Sequence, residues 1–159
     1  MVDKIQVAAQ YVLFRLGNEE YAIDIATVKE IHELQHVAKV HRTPSYIEGV
    51  MNLRGKLVTV IDLRKRLGIE AAPTGEVSKI IVVDAPDAPV GFLVDEVTEV
   101  ARFAAEAVEP PPSALAEGVE SEYVLAIAKL GERLVTIIDP VKILQLSTEE
   151  QDSGGRKHG

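Results

Sequence analysis

Three places in this 159-residue chain carry side chains of the kinds and spacings that do chemistry. The run His32-Glu33-Leu34-Gln35-His36 matches the zinc-peptidase pattern letter for letter. In that pattern two imidazoles one helical turn apart hold the metal, the glutamate acts as general base, and a third ligand follows downstream. Here the run follows a strand-like segment and leads into Val37-Ala38-Lys39-Val40-His41-Arg42-Thr43-Pro44, with no helix cap before it and no third ligand at a matching spacing. The histidines therefore read as solvated loop residues, with a zinc-dependent hydrolase as a remote alternative. The second place is Gly49-Val50-Met51-Asn52-Leu53-Arg54-Gly55-Lys56. It has one residue too many for a phosphate-cradling loop, lacks the hydroxyl after the lysine that would hold magnesium, and runs into a strand where a helix N-terminus is required. The third is the pair Asp62 and Asp139, which sit where a carboxylate caps a following short helix. No catalytic residue, metal or cofactor is assigned from these motifs. What remains is a surface signal. Val28-Lys29-Glu30-Ile31 mixes charge with aliphatics, and Arg54 stands at a Gly-containing turn, as suits a protein–protein contact.

Composition narrows the classes further. Lys+Arg is 17 against Asp+Glu 25, a net charge of −8, which repels phosphate backbones and excludes nucleic acid as an expected partner. Cysteine is absent, which removes disulfides, thiolate nucleophiles and cysteine-bearing metal sites. No apolar run approaches the ~20 residues that span a bilayer, and the first residues lead into no signal-peptide core. The expectation is a cytoplasmic globular protein without direct membrane insertion.

The elements that must position these residues are mostly strands. Tyr11 to Leu16 and Tyr21 to Ile25 flank Gly17-Asn18, and Lys56 to Ile61, Lys79 to Val83, Gly91 to Val94 and Arg133 to Ile138 have the same β-branched character. Several are apolar on both faces, as in strands covered on both sides. Short helices are expected at Leu63 to Leu67, closed by Gly68, and at Val141 to Leu144, opened by Pro140. Tyr46 to Ile69 also lies over Tyr123 to Leu146 at a constant offset of 77 residues, with nine identities, and Ile23 to Ile31 shadows Phe92 to Val100. Each copy holds a tight hairpin, at Arg54-Gly55 and at Gly131-Glu132, where glycine supplies the positive φ of a primed turn. Two similar half-barrels are expected: subdomain 1 over about 11–75 and subdomain 2 over about 76–146. Loops are expected at 71–76, an extended polyproline connector at 109–113, and a disordered tail at 147–159.

Pro44 to Arg64, through Gly49-Val50-Met51-Asn52-Leu53-Arg54-Gly55, resembles the signature of the CheW family, the coupling proteins of bacterial chemotaxis. The Tyr21 to Ile31 segment, the Pro110-Pro111-Pro112 connector and the second hairpin ending at Asp139 fit the same family, so the resemblance covers about Tyr11 to Leu146. Thr59 stands where members often carry proline. The resemblance implies an all-β fold of two five-stranded SH3-like barrels. It implies no enzymatic activity and no cofactor. It implies a scaffold joining the helical-hairpin tip of methyl-accepting chemoreceptors to the regulatory domain of the histidine kinase CheA, at membrane-associated receptor arrays. Receptor contact is implied for Val28, Glu30, Ile31 and Arg54, with Gly49 and Asn52 supporting the groove. Val37, Arg42 and Ser45 are weaker kinase candidates. A coupling protein of a non-flagellar chemosensory pathway is the alternative within the family. A two-domain CheV-like protein is not expected at this length, and a generic SH3-like peptide binder would want more clustered aromatics than the seven present.

Overall fold

The computed structural model describes residues 9–69, 78–112 and 120–145. The first copy supplies β1 (Tyr11–Leu16), β2 (Glu19–Asp24), β3 (Val28–Glu33), β4 (Ile47–Leu53), β5 (Lys56–Asp62) and the helix α1 (Leu63–Leu67). The second supplies β6 (Lys79–Val83), β7 (Val90–Val94), β8 (Glu96–Ala101), β9 (Val108–Glu109), the short helix α2 (Glu120–Tyr123), β10 (Val124–Leu130), β11 (Arg133–Ile138) and a helix at 140–145, α3. The helix starts follow the expected chemistry. The Asp62 carboxylate accepts from the backbone N–H groups of Arg64 and Lys65, and Asp139 does the same for Val141 and Lys142. Gly68, at φ +73, ends α1 in the left-handed conformation.

The strands form two sheets with one shared plan. One runs β3-β6-β7-β5-β4 and the other β8-β1-β2-β11-β10-β9. In both, a three-strand antiparallel meander joins a hairpin through one parallel pair, β5 with β7 and β11 with β2. This is the two-subdomain β architecture expected from the sequence, with the two-residue β9 as a sixth strand in the second sheet. The sheets do not divide the chain at residue 75/76, however. The first copy lends β1 and β2 to the second copy's sheet, and the second copy lends β6 and β7 to the first copy's sheet. A break there would leave each hairpin without its parallel partner, so the halves are exchanged and not merely adjacent. Glu109, expected in a polyproline connector, pairs in β9 with Ile127. The expected loop at 71–76 and the tail at 147–159 lie outside the described residues.

The exchange explains why so many strands are apolar on both faces. Along β1, Val12, Phe14 and Leu16 enter a central cluster with Ile23, Ile61, Leu63, Phe92, Tyr123 and Ile138, which joins the two sheets. The alternate residues Tyr11 and Leu13 enter the second sheet's own cluster with Phe103, Val135 and Ile137. A third cluster, Met51, Val58, Val60, Ile80, Val82 and Leu93, fills the first sheet's interior. Alternating side chains of one strand thus feed two different cores.

Candidate interaction site at the seam of the first sheet

In the first sheet β3 and β4 are the opposite edges, and the segment that follows β3 closes on β4. After β3 the chain turns back along β4: Ala38 N–H donates to Val50 O at 2.8 Å, and Val50 N–H donates to Ala38 O at 2.9 Å. Gln35 Nε2 donates to Asn52 O at 3.2 Å. Gly49 makes this approach possible. It sits at a register shift of the β4–β5 ladder with φ +146, and a Cβ there would lie 2.1 Å from the Ala38 carbonyl oxygen. No side chain fits in that gap.

The β4–β5 turn crowns the seam. Arg54 has φ +54 and Gly55 φ +86, so both central residues lie in the left-handed region of a type I′ turn. The sequence placed this burden on the glycine alone; the structure puts Arg54 there as well. The turn is held by Asn52, whose Oδ1 accepts from Gly55 N–H at 2.8 Å. From this tip Arg54 reaches across the seam and its Nη2 donates to Glu30 Oε2. The other oxygen, Glu30 Oε1, is bonded to His32 Nε2 at 2.6 Å.

The expected receptor residues fall into three kinds of position. Glu30, Arg54, Asn52 and Gly49 are drawn together at the seam. Glu30 and His32 share one face of β3, opposite Val82 and Ile80, while the register shift between Val28 and Glu30 turns Val28 toward the central core. Ile31 points to the other face with Lys29 and Glu33 and is 43% exposed. Of the weaker kinase candidates, Val37 is half-buried against the Met51 cluster, Arg42 is exposed with φ +66, and Ser45 is exposed. The zinc-peptidase pattern is not realised. His32 and Glu33 end a strand, residues 34–36 are not helical, and His32 Nε2 is occupied by Glu30. The one-turn spacing that would bring His32 and His36 to one metal is lost.

Two features escaped the sequence reading. One is an ion cluster on the other sheet, around Glu99, which aligns with Glu30 in the repeat. Arg133 at the β10–β11 hairpin donates to Glu99 Oε2 at 2.6 Å and to both oxygens of Glu20 at 2.7 and 2.8 Å. The hydrogen bond from Arg133 holds the Glu20 carboxyl below the usual range, and the two carboxylates push the Arg133 guanidinium up. The second feature is a pair of outward leucines, Leu57 and Leu134, at repeat-equivalent positions on β5 and β11, 73% and 63% exposed. They belong to the nine repeated identities, and nothing in the repeat marked them as exposed. Leu57 borders an open cavity of about 460 Å³ walled by Tyr46, Thr59, Pro86, Pro89 and Leu144. Leu134, with Thr136 and Asn18, borders its counterpart.

Comparison with known proteins places this geometry. A family model described as CheW-like domain matches residues 10–148. The chemotaxis protein CheW of Klebsiella aerogenes is 38% identical over 144 residues, covering 91% of this chain and 85% of that protein. The chemotaxis protein CheW of Bacillus subtilis is 33% identical over 153 residues, covering 94% and 96%. Among solved structures, the crystal structure of the scaffolding protein TtCheW from Thermoanaerobacter tengcongensis matches with a TM-score of 0.77 at 36% identity, covering 85% of this chain and 86% of that one.

Proposed function

The chain belongs to the CheW family, and from that premise we propose how its surfaces divide an adaptor's work. It is a chemotaxis adaptor that couples chemoreceptors to the histidine kinase CheA. Its first contact is the seam. Arg54 and Glu30 form a fixed charge pair between hairpin tip and edge strand, with Ile31 exposed nearby, and this offers a helical-hairpin receptor tip an apolar surface with charges that set its register. The clamped Arg54 is the observation that carries the assignment. A guanidinium held at a rigid turn loses less freedom on binding than one on a mobile loop. Asn52 and Gly49 act behind it, one fixing the turn and the other admitting the 37–38 segment.

The kinase contact lies on the segment between β3 and β4, through Arg42 and Ser45, with Val37 anchoring that segment to the core. An adaptor needs separate faces, because receptor state reaches the kinase only if both partners are held at once.

Co-sedimentation with receptor-bearing membranes, with and without the kinase, tests the division. Arg54→Glu should weaken receptor binding tenfold or more and leave binding to CheA within twofold, while Arg42→Glu with Ser45→Arg should do the reverse. Normal receptor affinity in Arg54→Glu overturns the receptor assignment. The exposed pair is worth ~1 kcal/mol or less to stability, so the melting temperature should move by only a few degrees.

A further inference from the structure

Resting on the seam as the receptor contact, we propose that His32 positions Glu30 within it and makes that contact sensitive to pH. Both carboxylate oxygens of Glu30 are in use, Oε2 by Arg54 and Oε1 by His32 Nε2 at 2.6 Å. A carboxylate only accepts, so Nε2 carries the hydrogen in this pair, whether the ring is neutral or charged. The two residues lie two apart on β3 and share one face, so the bond needs no distortion of the strand. Arg54 alone would be a loose tether, since its side chain is 66% exposed and reaches from another element. His32 and Glu30 are 23% and 26% exposed, sheltered enough for the pair to persist and open enough for protons to enter.

Lys29, next to Glu30 on β3, pairs with Asp84 at 3.9 Å. Across the β3–β6 ladder, His32 lies opposite Ile80 and Glu30 opposite Val82. Glu33 and Lys79 pair with each other, and Glu33 lies on the outward face of β3. Arg54 comes from the hairpin tip, and the neutral Gln35 and the exposed His36 follow β3. With a neutral imidazole the cluster of Arg54, Glu30 and His32 sums to zero. With an imidazolium it carries +1, and one carboxylate is divided between two cations. Arg54 is then held less firmly, and the tip loses its register with β3. Protonation of the imidazole therefore loosens the tip, and receptor affinity falls as pH drops.

Isothermal titration of the full chain with a purified cytoplasmic fragment of a methyl-accepting chemoreceptor, from about pH 8 to about pH 5.5, reads this directly. The unmodified chain should lose affinity several-fold at the acid end. His32→Gln, which keeps an N–H donor but does not titrate, should match it at the alkaline end and stay at that affinity as pH falls. His32→Leu should bind several-fold more weakly throughout, and thermal melts of each variant at each pH confirm that all remain folded. Groups on the receptor that titrate act equally on all variants, so the difference in slope is the result. The proposal is overturned if His32→Gln keeps the original slope or if His32→Leu binds normally at pH 8. Arg54→Glu separates the two levels. If it binds normally, the seam itself is not the receptor contact. If it binds weakly while the His32 variants behave as the unmodified chain, only the role of His32 fails.

Discussion

Replacing Arg64 by methionine should be among the most damaging single changes available in the chain. The guanidinium is 4% exposed and bridges two carboxylates. Nε and Nη2 each donate to Asp62 at 3.2 Å, and Nη1 donates to Asp95 Oδ1 at 2.7 Å. Asp95 in turn accepts from Gly17 N–H at 2.6 Å, and its own N–H donates to Arg15 O. The network therefore ties the end of β5 and the β7–β8 connection to the β1–β2 turn, across the two sheets. Burial works against the charge on Arg64, but the bonds and attraction from Asp62 and Asp95 outweigh it and raise its pKa above the ordinary value. Methionine fills a similar volume but leaves Asp62, 2% exposed, and Asp95, 17% exposed, without their counter-charge. Removing one partner of a buried ion pair costs about 3–5 kcal/mol. At this chain length each kcal/mol is about 2–4 °C, so the melting temperature should fall by roughly 6–20 °C. Calorimetry measures that, and Asp95→Asn supplies the second arm of a double-mutant cycle, because asparagine keeps an oxygen for Gly17 N–H while removing the charge. The double variant should be about 0.5–3 kcal/mol more stable than the two single costs predict. A loss below about 1 kcal/mol, or strict additivity, refutes the claim that the buried charges are coupled.

Two further outcomes follow from the same geometry. Gly49→Ala should cost several kcal/mol, since a Cβ 2.1 Å from the Ala38 oxygen forces the 37–38 segment off β4 at a positive φ; faster amide exchange at Ala38 and Val50 would register the opened seam. The Glu20 carboxyl, held below its ordinary pKa by Arg133, contributes stability that is full above the unfolded value of ~4.3 and is lost as pH falls through the lower folded value. Accordingly, the melting-temperature gap between the unmodified chain and Arg133→Gln should be constant from about pH 5 to 8 and should close below about pH 4. A gap that persists in acid means that Arg133 stabilises by packing and not through Glu20.

The local grammar of this protein was legible in its residues. The nine identities at an offset of 77 marked the two hairpins, Asp62 and Asp139 marked the helix starts, and the Arg54-Gly55 dipeptide marked a turn. Each of these is decided within a few residues, by φ preferences, capping hydrogen bonds and the alternation of a strand. Which strands pair beyond the hairpins was not legible. β1 reads as apolar on both faces and would satisfy either sheet, so nothing in its pattern names β8 as its neighbour or sends β2 alongside β11. The same limit hid the seam. Glu30 and Arg54 are 24 residues apart, and Arg64 and Asp95 are 31 apart, on segments that meet only in the folded chain. Leu57 and Leu134 are apolar and recur in the repeat, yet both stand exposed on their strands. Sequence fixes what each segment can bury and where the chain must turn. The choice of partner belongs to the whole molecule, because the burial that rewards it is shared among strands far apart in the chain.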